Sequence, residues 1–277
     1  MNCPYDGMRV LSHFCVSPRF LKSLTLQGFF KIFKIIWMSV LKFYLKYLET
    51  TTGGVMQLDE VGLRQSQLTQ KQKIVKTIFV GGQSFLVSGV GYNPHGNIYY
   101  DRQPIDPWLL SGLEECLIAG LLCNNSQLVN QNKQWQAIGD ANEAAMIALA
   151  YKAGLEPSQL SASMPRLDAI AEFNEMATLH DLTPTLKKNS HRHHVVYIRS
   201  MVDRVLERCD WMLNLDGQQV LINLPTIKQA IASMKEKGLE IMILLKKDVP
   251  NIYQNLNLID LNSELIFMGI QGISTVA

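Results

Sequence analysis

The chain has 277 residues, of which 47% are hydrophobic and 18% are charged, and its formal net charge is +2. A chain of this length and composition buries enough apolar surface for one large domain or two small ones, which excludes wholesale disorder. The small charge, without a basic stripe interleaved with aromatic residues after residue 50, argues against a nucleic-acid partner. Cysteines at positions 3, 15, 116, 123 and 209 match neither a C-x-x-C pair nor zinc-finger spacing, so we expect free cytosolic thiols.

Residues 20–48 are rich in Phe, Leu, Ile and Trp, but the charge-free stretch at their centre, Ile35–Leu41, is much shorter than the roughly 18 to 20 residues of a membrane span. At about 100° per residue, four lysines occupy about a third of a helical wheel and the remaining arc is apolar. These are Lys31, Lys34, Lys42 and Lys46. The pattern predicts an amphipathic helix on a membrane surface. A helix packed on the protein's own core, or a segment foreign to the domain, explains it equally well.

The run Thr51–Gly54, two threonines followed by two glycines, is a natural break after the apolar segment. We therefore assign residues 1–55 to a separate N-terminal helical segment and residues 56–277 to one folded domain. In this domain, residues 74–80 and 84–90 are rich in β-branched and aromatic residues and flank two glycines. This pattern predicts a β-hairpin.

Helical patterns follow the hairpin. Asp106-Pro107 predicts the cap and first residue of a helix whose apolar positions recur at helical spacing as far as Gly120. A short strand is expected at residues 135–138, and it leads into Gly139–Glu143 and an alanine-rich helix. Another helix is expected from Glu156-Pro157.

Residues 182–194 contain Pro184, paired lysines and three histidines, and they predict an exposed loop. Adjacent histidines without a nearby Cys or a carboxylate at helical spacing predict no metal site there. Strands and helices then alternate, in the order strand 195–198, helix 202–209, two strands around the turn Asp216-Gly217, helix 224–237, and strands 239–245 and 264–270. Strands joined by tight turns and interleaved with helices in a non-repeating order predict an α+β fold, with a twisted antiparallel sheet flanked by helices.

Six motifs from Leu68 onward occur in the order in which one protein family has them. They are Leu68-Thr69-Gln70, AGLLCNN at 119–125, GDANE at 139–143, YIRSM at 197–201 with VLERC at 205–209, KGLEIM at 237–242, and LIFMGIQGI at 265–273. The family's counterparts are the end of DKTGTLTQ, A-x-L-C-N-(N/D), GDPTE, KGA with (D/E)RC, KGLRVL, and a strand returning to the phosphorylation domain. The chain thus resembles the nucleotide-binding (N) domain of P-type cation-transporting ATPases, in the calcium and sodium pump branch.

The resemblance implies that the chain binds ATP. In the family, adenine lies between a strand-borne Phe and the KGA lysine, and the acid of GDPTE binds the exocyclic amine of the base. Glu143 corresponds to that acid, with Asn142 beside it, and a carboxylate can accept this hydrogen bond. Arg199 corresponds to the lysine and keeps a cation that can stack on a purine. Ser200 replaces the family's glycine and narrows the cleft.

Other interpretations of the same residues stay open. Phe173 is the candidate for the base-stacking aromatic residue, although its segment is several residues shorter than the family's, and packing in the core explains it equally well. Glu143 also suits the first turn of a helix, where the dipole favours a carboxylate. Arg199 also suits a position at the surface end of a strand.

Two departures from the family bear on activity. Glu240 stands where the family has an arginine that faces the phosphates, and a carboxylate repels a triphosphate. P-type pumps form an aspartyl phosphate with the help of Mg²⁺ and a lysine. The ungapped alignment places Leu63 at the nucleophile, and a gapped one offers Asp59 without the Lys and Thr that should follow it. We therefore expect no catalytic residue in this chain, and Mg²⁺ only in an intact pump.

The leading hypothesis is a partly degenerate N domain at the cytoplasmic face of a membrane, which binds ATP weakly through Glu143, Arg199 and Phe173. The alternative is a remnant that no longer binds nucleotide and acts as an interaction module tethered through residues 20–48.

Overall fold

The computed structural model describes residues 71–172, 174–182 and 193–276. The predicted amphipathic helix at 20–48, the boundary near residue 55, and the candidates Asp59 and Phe173 lie outside these ranges, as does most of the predicted loop at 182–194. The first half of the described chain comprises β1 (Lys73–Val80), β2 (Gln83–Val87), β3 (Ile98–Tyr100), β4 (Gln103–Ile105), α1 (Ser111–Leu122), β5 (Gln127–Gln131), β6 (Gln134–Ile138), α2 (Ala141–Lys152), α3 (Pro157–Ser163), β7 (Arg166–Glu172) and β8 (Glu175–Asp181).

The second half comprises β9 (His193–Ser200), β10 (Cys209–Leu213), β11 (Gln219–Leu221), α4 (Leu224–Glu236), β12 (Glu240–Pro250) and β13 (Leu265–Thr275). Short 3₁₀ helices lie at Pro107–Leu109, Asp203–Arg208 and Leu258–Leu261. Within the described ranges, no helix is both long enough and apolar enough to cross a bilayer.

One large sheet organises these elements. Its main path runs β4-β3-β2-β1-β13-β12-β9-β8-β7, and neighbouring strands along this path are antiparallel. β10 pairs in parallel with the first part of β13 and antiparallel with β11, while β5 and β6 form a separate hairpin. The predicted α+β class, an antiparallel sheet flanked by helices, is confirmed.

The predicted glycine hairpin is present between β1 and β2. Val80 pairs with Gln83, so Gly81 and Gly82 form a two-residue turn, with φ angles of 58° and 82°. Both residues have positive φ, which glycine adopts without steric cost and which the twist of a two-residue hairpin requires. The sequence therefore determines the register of this hairpin locally.

Several predicted boundaries differ in the structure, including the ends of β12 and β13, which each lie five residues beyond the predicted ends. Asp106 caps only a 3₁₀ turn, accepting the N–H of Trp108 at 3.1 Å, and extended Leu110 separates that turn from α1. The predicted helix at 202–209 is a six-residue 3₁₀ helix between two extended residues, and such short segments favour the tighter helix. β9 begins at His193, two residues before the predicted strand, because its first residues pair with the end of β12.

The sheet has a hydrophobic core on each face. α1 and α2 cover one face and pack on side chains such as Val195 and Tyr197. The opposite core contains α4 and includes Val196 and Ile198. Because side chains alternate along β9, residues at odd and even positions of this strand belong to different cores. The next two residues, Arg199 and Ser200, continue this alternation.

His180 of β8 is a buried titratable group on the α1 and α2 side. It is 1% exposed, its ring lies 5.7 Å from the Tyr197 ring, and Nδ1 lies 3.0 Å from the carbonyl oxygen of Met164. Burial lowers the pKa of His180 to about 4, and the nearby Arg166 charge acts in the same direction. The folded protein therefore keeps this imidazole neutral.

We predict that His180 makes the protein less stable as the pH falls from about 6.5 to about 4. In this window the His180 imidazole is protonated in the unfolded chain and neutral in the folded chain. The free energy of unfolding therefore rises with pH, by about 3 kcal/mol over the window. Urea denaturation at several pH values measures it. His180→Gln should flatten the pH dependence relative to the exposed control His95→Gln, and an equally steep dependence in both variants would contradict the prediction.

Candidate functional site

The candidate site is built around the N-terminus of α2. Gly139, with φ of 113°, turns the chain from β6 into the helix. Asp140 is the N-cap, and its side chain accepts the N–H groups of Asn142 and Glu143 at 2.9 and 3.0 Å. Glu143 lies in the first turn, where the helix dipole favours a carboxylate, and it is buried. The GDANE motif thus encodes a capped helix that presents an acid at its start.

The loop after α1 holds the Glu143 side chain from the opposite side. The Asn125 N–H and the Ser126 hydroxyl both donate to Oε2, at 2.9 and 2.7 Å. The Asn124 amide donates to the Glu143 backbone carbonyl at 2.9 Å. The AGLLCNN and GDANE motifs, separate in sequence, therefore form one hydrogen-bonded unit in the structure.

Arg199 completes the coordination of Glu143. Its Nη2 donates to Oε1 at 2.5 Å, and the side chains of the two residues are only 14% and 8% exposed. The guanidinium also contacts two thioethers, with Nη2 3.5 Å from Met176 Sδ and Nη1 3.9 Å from Met242 Sδ. Its buried Nε has no hydrogen-bond partner among the described residues. The predicted nucleotide ligand Arg199 is thus in contact with the predicted ligand Glu143.

Asn142 connects this pair to a second one. Its Nδ2 donates to Glu240 Oε2 at 3.1 Å, and Lys73 Nζ donates to both oxygens of the same carboxylate at 2.6 and 2.7 Å. The hydrogen bond from Lys73 lowers the pKa of Glu240, so this carboxylate stays ionised at neutral pH. The buried Oδ1 of Asn142 has no partner within the described part of the chain. Two ion pairs therefore flank Asn142.

Ser200, a further predicted ligand, is not part of this cluster. It faces the other side of the sheet, where its buried hydroxyl accepts the N–H of Val202 at 3.0 Å and lies 3.3 Å from Glu175 Oε1. Glu175 in turn pairs with Arg208. The structure brings Asn142, Glu143 and Arg199 together and leaves the Ser200 side chain apart from them.

β7, two strands away from Arg199, presents a small side chain on the face of the site. Met176 pairs with Arg199 in the next strand, and Ala171 of β7 pairs with Met176. Ala171 is exposed. The described part of β7 therefore offers a methyl group, not an aromatic ring, at this position, and the candidate stacking residue Phe173 lies outside the described residues.

Two contributors to the site were missed in the sequence. Ser126 directly follows the Asn124-Asn125 motif, and its position next to that motif was a usable signal. Lys73 precedes the predicted first strand and lies 167 positions from its partner Glu240, so no local pattern indicated it. In the described ranges, no group of three or more His, Cys, Asp or Glu side chains is arranged to hold a metal ion.

We predict that Glu143→Ala costs about 3 kcal/mol of stability, because it leaves a buried guanidinium and the donors of Asn125 and Ser126 without their acceptor. Asp203→Ala is the matched control: its pair with Lys235 is 51% and 56% exposed, and such pairs contribute less than about 1 kcal/mol. Urea denaturation measures both. Similar losses of unfolding free energy in the two variants would show that the Glu143–Arg199 pair contributes no more than an exposed ion pair.

Comparisons with known proteins agree with the motifs. A profile of the family described as P-type ATPase, cytoplasmic domain N, matches residues 112–275. The chain is similar to the cation-transporting ATPase pma1 of Synechocystis sp., with 36% identity over 213 residues, which cover 74% of this chain and 22% of that protein. It is also similar to the probable cation-transporting ATPase F of Mycobacterium tuberculosis, with 30% identity over 179 residues, or 63% and 19% of the two chains.

The calcium-transporting ATPase of Bacillus subtilis is 24% identical over 156 residues, which cover 56% of this chain and 17% of that protein. The chain thus spans about a fifth of the length of these relatives. The family profile covers more than half of the chain. The matched range contains all but the first residue of α1, the elements from β5 to β13, and the residues Asn142, Glu143, Arg199 and Glu240. The resemblance inferred from the six motifs is confirmed, and the chain belongs to the family of P-type ATPase cytoplasmic N domains.

Proposed function

We propose that this domain binds an adenine nucleotide, ATP, at the N-terminus of α2 through Glu143, Asn142 and Arg199. Its membership of the N-domain family supports the proposal. The observation that carries it is the meeting of Glu143 and Arg199, 56 positions apart in sequence, beside two buried polar atoms without partners among the described residues. Buried polar groups are rarely left unpaired unless a ligand or water uses them.

The chemistry of Glu143, Asn142 and Arg199 suits a purine. The adenine amine donates hydrogen bonds, and both the Glu143 carboxylate and Asn142 Oδ1 are acceptors. The purine ring nitrogens are acceptors, and Arg199 Nε is a donor. Met176 and Met242 are buried against the Arg199 guanidinium, and their polarizable thioethers can pack on an aromatic ring once Arg199 turns away. The residues present therefore fit the base.

Opening the site has a cost. Glu143 already receives three hydrogen bonds from side-chain and backbone donors, and Arg199 must turn away from Oε1 before a base amine can replace it. Separating a buried ion pair leaves its charges less well compensated. We therefore propose weak binding, with a Kd of about 1 mM, which corresponds to a binding free energy of about −4 kcal/mol.

The proposal is confined to binding. Aspartyl-phosphate chemistry needs a carboxylate nucleophile, Mg²⁺ and a lysine, and the candidate nucleophile Asp59 lies outside the described residues. The relatives are named as transporting ATPases, and this chain spans only about a fifth of their length. We propose neither phosphorylation nor transport by this chain alone.

We predict saturable binding of ATP to the full chain by calorimetry or NMR titration. Asn142→Leu and Glu143→Gln should each weaken it about tenfold, because each loses a hydrogen bond to a buried or charged group. Matched controls are Asn130→Leu, on the exposed surface of β5, and Glu236→Gln, on the exposed surface of α4. They should stay within twofold of the unmodified chain.

Measurements of stability and of binding distinguish a structural role of Asn142 from a role in binding ATP. Asn142→Leu removes the unpaired Oδ1 and one hydrogen bond to Glu240, which keeps both bonds from Lys73, so the free energy of unfolding should fall by only about 1 kcal/mol. Weaker ATP binding by a variant that stays folded is then not a consequence of unfolding. A folded protein without saturable binding of either ATP or adenosine at several millimolar would contradict the proposal of an adenine site at Glu143 and Asn142. It would leave the alternative, an interaction module with an inherited fold.

We also propose that residues 20–48 hold the domain at the cytoplasmic face of a membrane. We expect the full chain to float with anionic lipid vesicles, because surface lysines each contribute about 1 kcal/mol near anionic lipid. Replacing Lys31, Lys34, Lys42 and Lys46 by Gln should abolish the flotation. If the unmodified chain stays at the bottom of the gradient with anionic vesicles, the membrane assignment is wrong.

A further inference from the structure

The charges around Asn142 neutralise one another before any ligand arrives. Arg199 is paired with Glu143, and Lys73 is paired with Glu240. Asp140 adds a further carboxylate at the N-cap of α2. Among the described residues, every cation that contacts Asn142, Glu143 or Glu240 is therefore already committed to a carboxylate.

The next cation along this surface is also engaged. Arg166 donates from Nη1 to Asn125 Oδ1 at 2.8 Å. Its Nη2 donates to the carbonyl oxygens of Leu122 and Asn124, at 2.8 and 2.5 Å. These contacts fix the loop that holds Glu143. The guanidinium is thus directed at the protein's own carbonyl groups.

The Glu240 carboxylate is more exposed to solvent than its partner cation, Lys73. In the Lys73–Glu240 pair the Glu240 side chain is 43% exposed, whereas the Lys73 side chain is 19% exposed. A group that approaches Asn142 from solvent meets the negative member of this pair first. A phosphate tail attached to a base at Asn142 and Glu143 extends several ångströms beyond the base, within reach of this carboxylate.

We infer that the site selects adenine ligands of low charge, adenosine and adenosine monophosphate, over the triphosphate, and that Glu240 determines this selection. The inference rests on the proposed binding of adenine at Glu143 and Asn142. A triphosphate normally requires unpaired cations or a cluster of free backbone N–H groups. Here the backbone N–H groups of Asn142 and Glu143, in the first turn of α2, already donate to Asp140. The phosphates consequently add repulsion from Glu240 without a matching attraction.

The test is calorimetric titration of the full chain with adenosine, adenosine monophosphate and ATP, at low salt and with a chelator to remove divalent cations. We expect adenosine and the monophosphate to bind at least as tightly as ATP. Glu240→Gln removes the charge and keeps a side chain that can accept the Asn142 amide. It should tighten ATP binding about five- to tenfold, the size expected for one charge acting on several phosphate charges across about 8 Å of water. Adenosine binding should stay within twofold.

Glu236→Gln, on exposed α4, is the control that makes the same change in net charge. It should change the affinity for neither ATP nor adenosine.

The dependence of binding on salt concentration is a second measurement and needs no variant. Added salt screens repulsion, so it should tighten the binding of ATP and leave adenosine unchanged, the reverse of ordinary phosphate binding.

The outcomes separate this inference from the proposed function. Saturable adenosine binding together with ATP binding at least tenfold tighter, or equal effects of Glu240→Gln on both ligands, would overturn the inference and leave the proposed function intact. Saturable binding of none of the three ligands would overturn both. Selective tightening of ATP in Glu240→Gln, absent in Glu236→Gln, would support it.

Discussion

The buried pair between Glu143 and Arg199 is the interaction on which the arrangement of the site depends. A carboxylate and a guanidinium removed from water lose several kcal/mol of hydration each, which only good geometry and additional hydrogen bonds offset. The protein supplies these bonds from the loop after α1, through Asn125 and Ser126. One carboxylate therefore fixes the relative positions of that loop, the start of α2 and the end of β9.

The alternation of side chains along β9 then decides which neighbours belong to the site. Arg199 and Ser200 are adjacent in sequence and occupy neighbouring positions of one family motif, but they lie on opposite faces of the sheet. Arg199 faces α2, and Ser200 faces Glu175 and the second core. A motif gives residues in linear order, whereas a strand separates consecutive residues by its period of two. For this reason the motif predicts the pair of acid and cation better than it predicts the serine.

Local signals predicted much of the fold. The glycine turn at 81–82, the capped alanine-rich helix α2 and helix α4 all follow from turn residues, caps and periodicity, and each is present. The hairpin of β7 and β8 was missed because its first strand, RLDAIAE, has little of the β-branched and aromatic content that marks a strand. Pairing of β8 with β9 stabilises this hairpin in the sheet, and such tertiary support overrides weak local propensity.

The contacts between distant parts of the chain were the hardest to predict, and they determine the electrostatics of the site. Glu240 alone indicated repulsion of phosphate, but its effect depends on Lys73 and Asn142, which are 167 and 98 positions away. The structure shows that the carboxylate is paired yet more exposed than its partner. Pairing keeps Glu240 ionised, and exposure directs its charge towards solvent. The same contact that stabilises this carboxylate in the fold thus maintains a negative charge beside Asn142. On the proposed binding mode, this domain keeps the acceptors for a base while losing the attraction for a triphosphate.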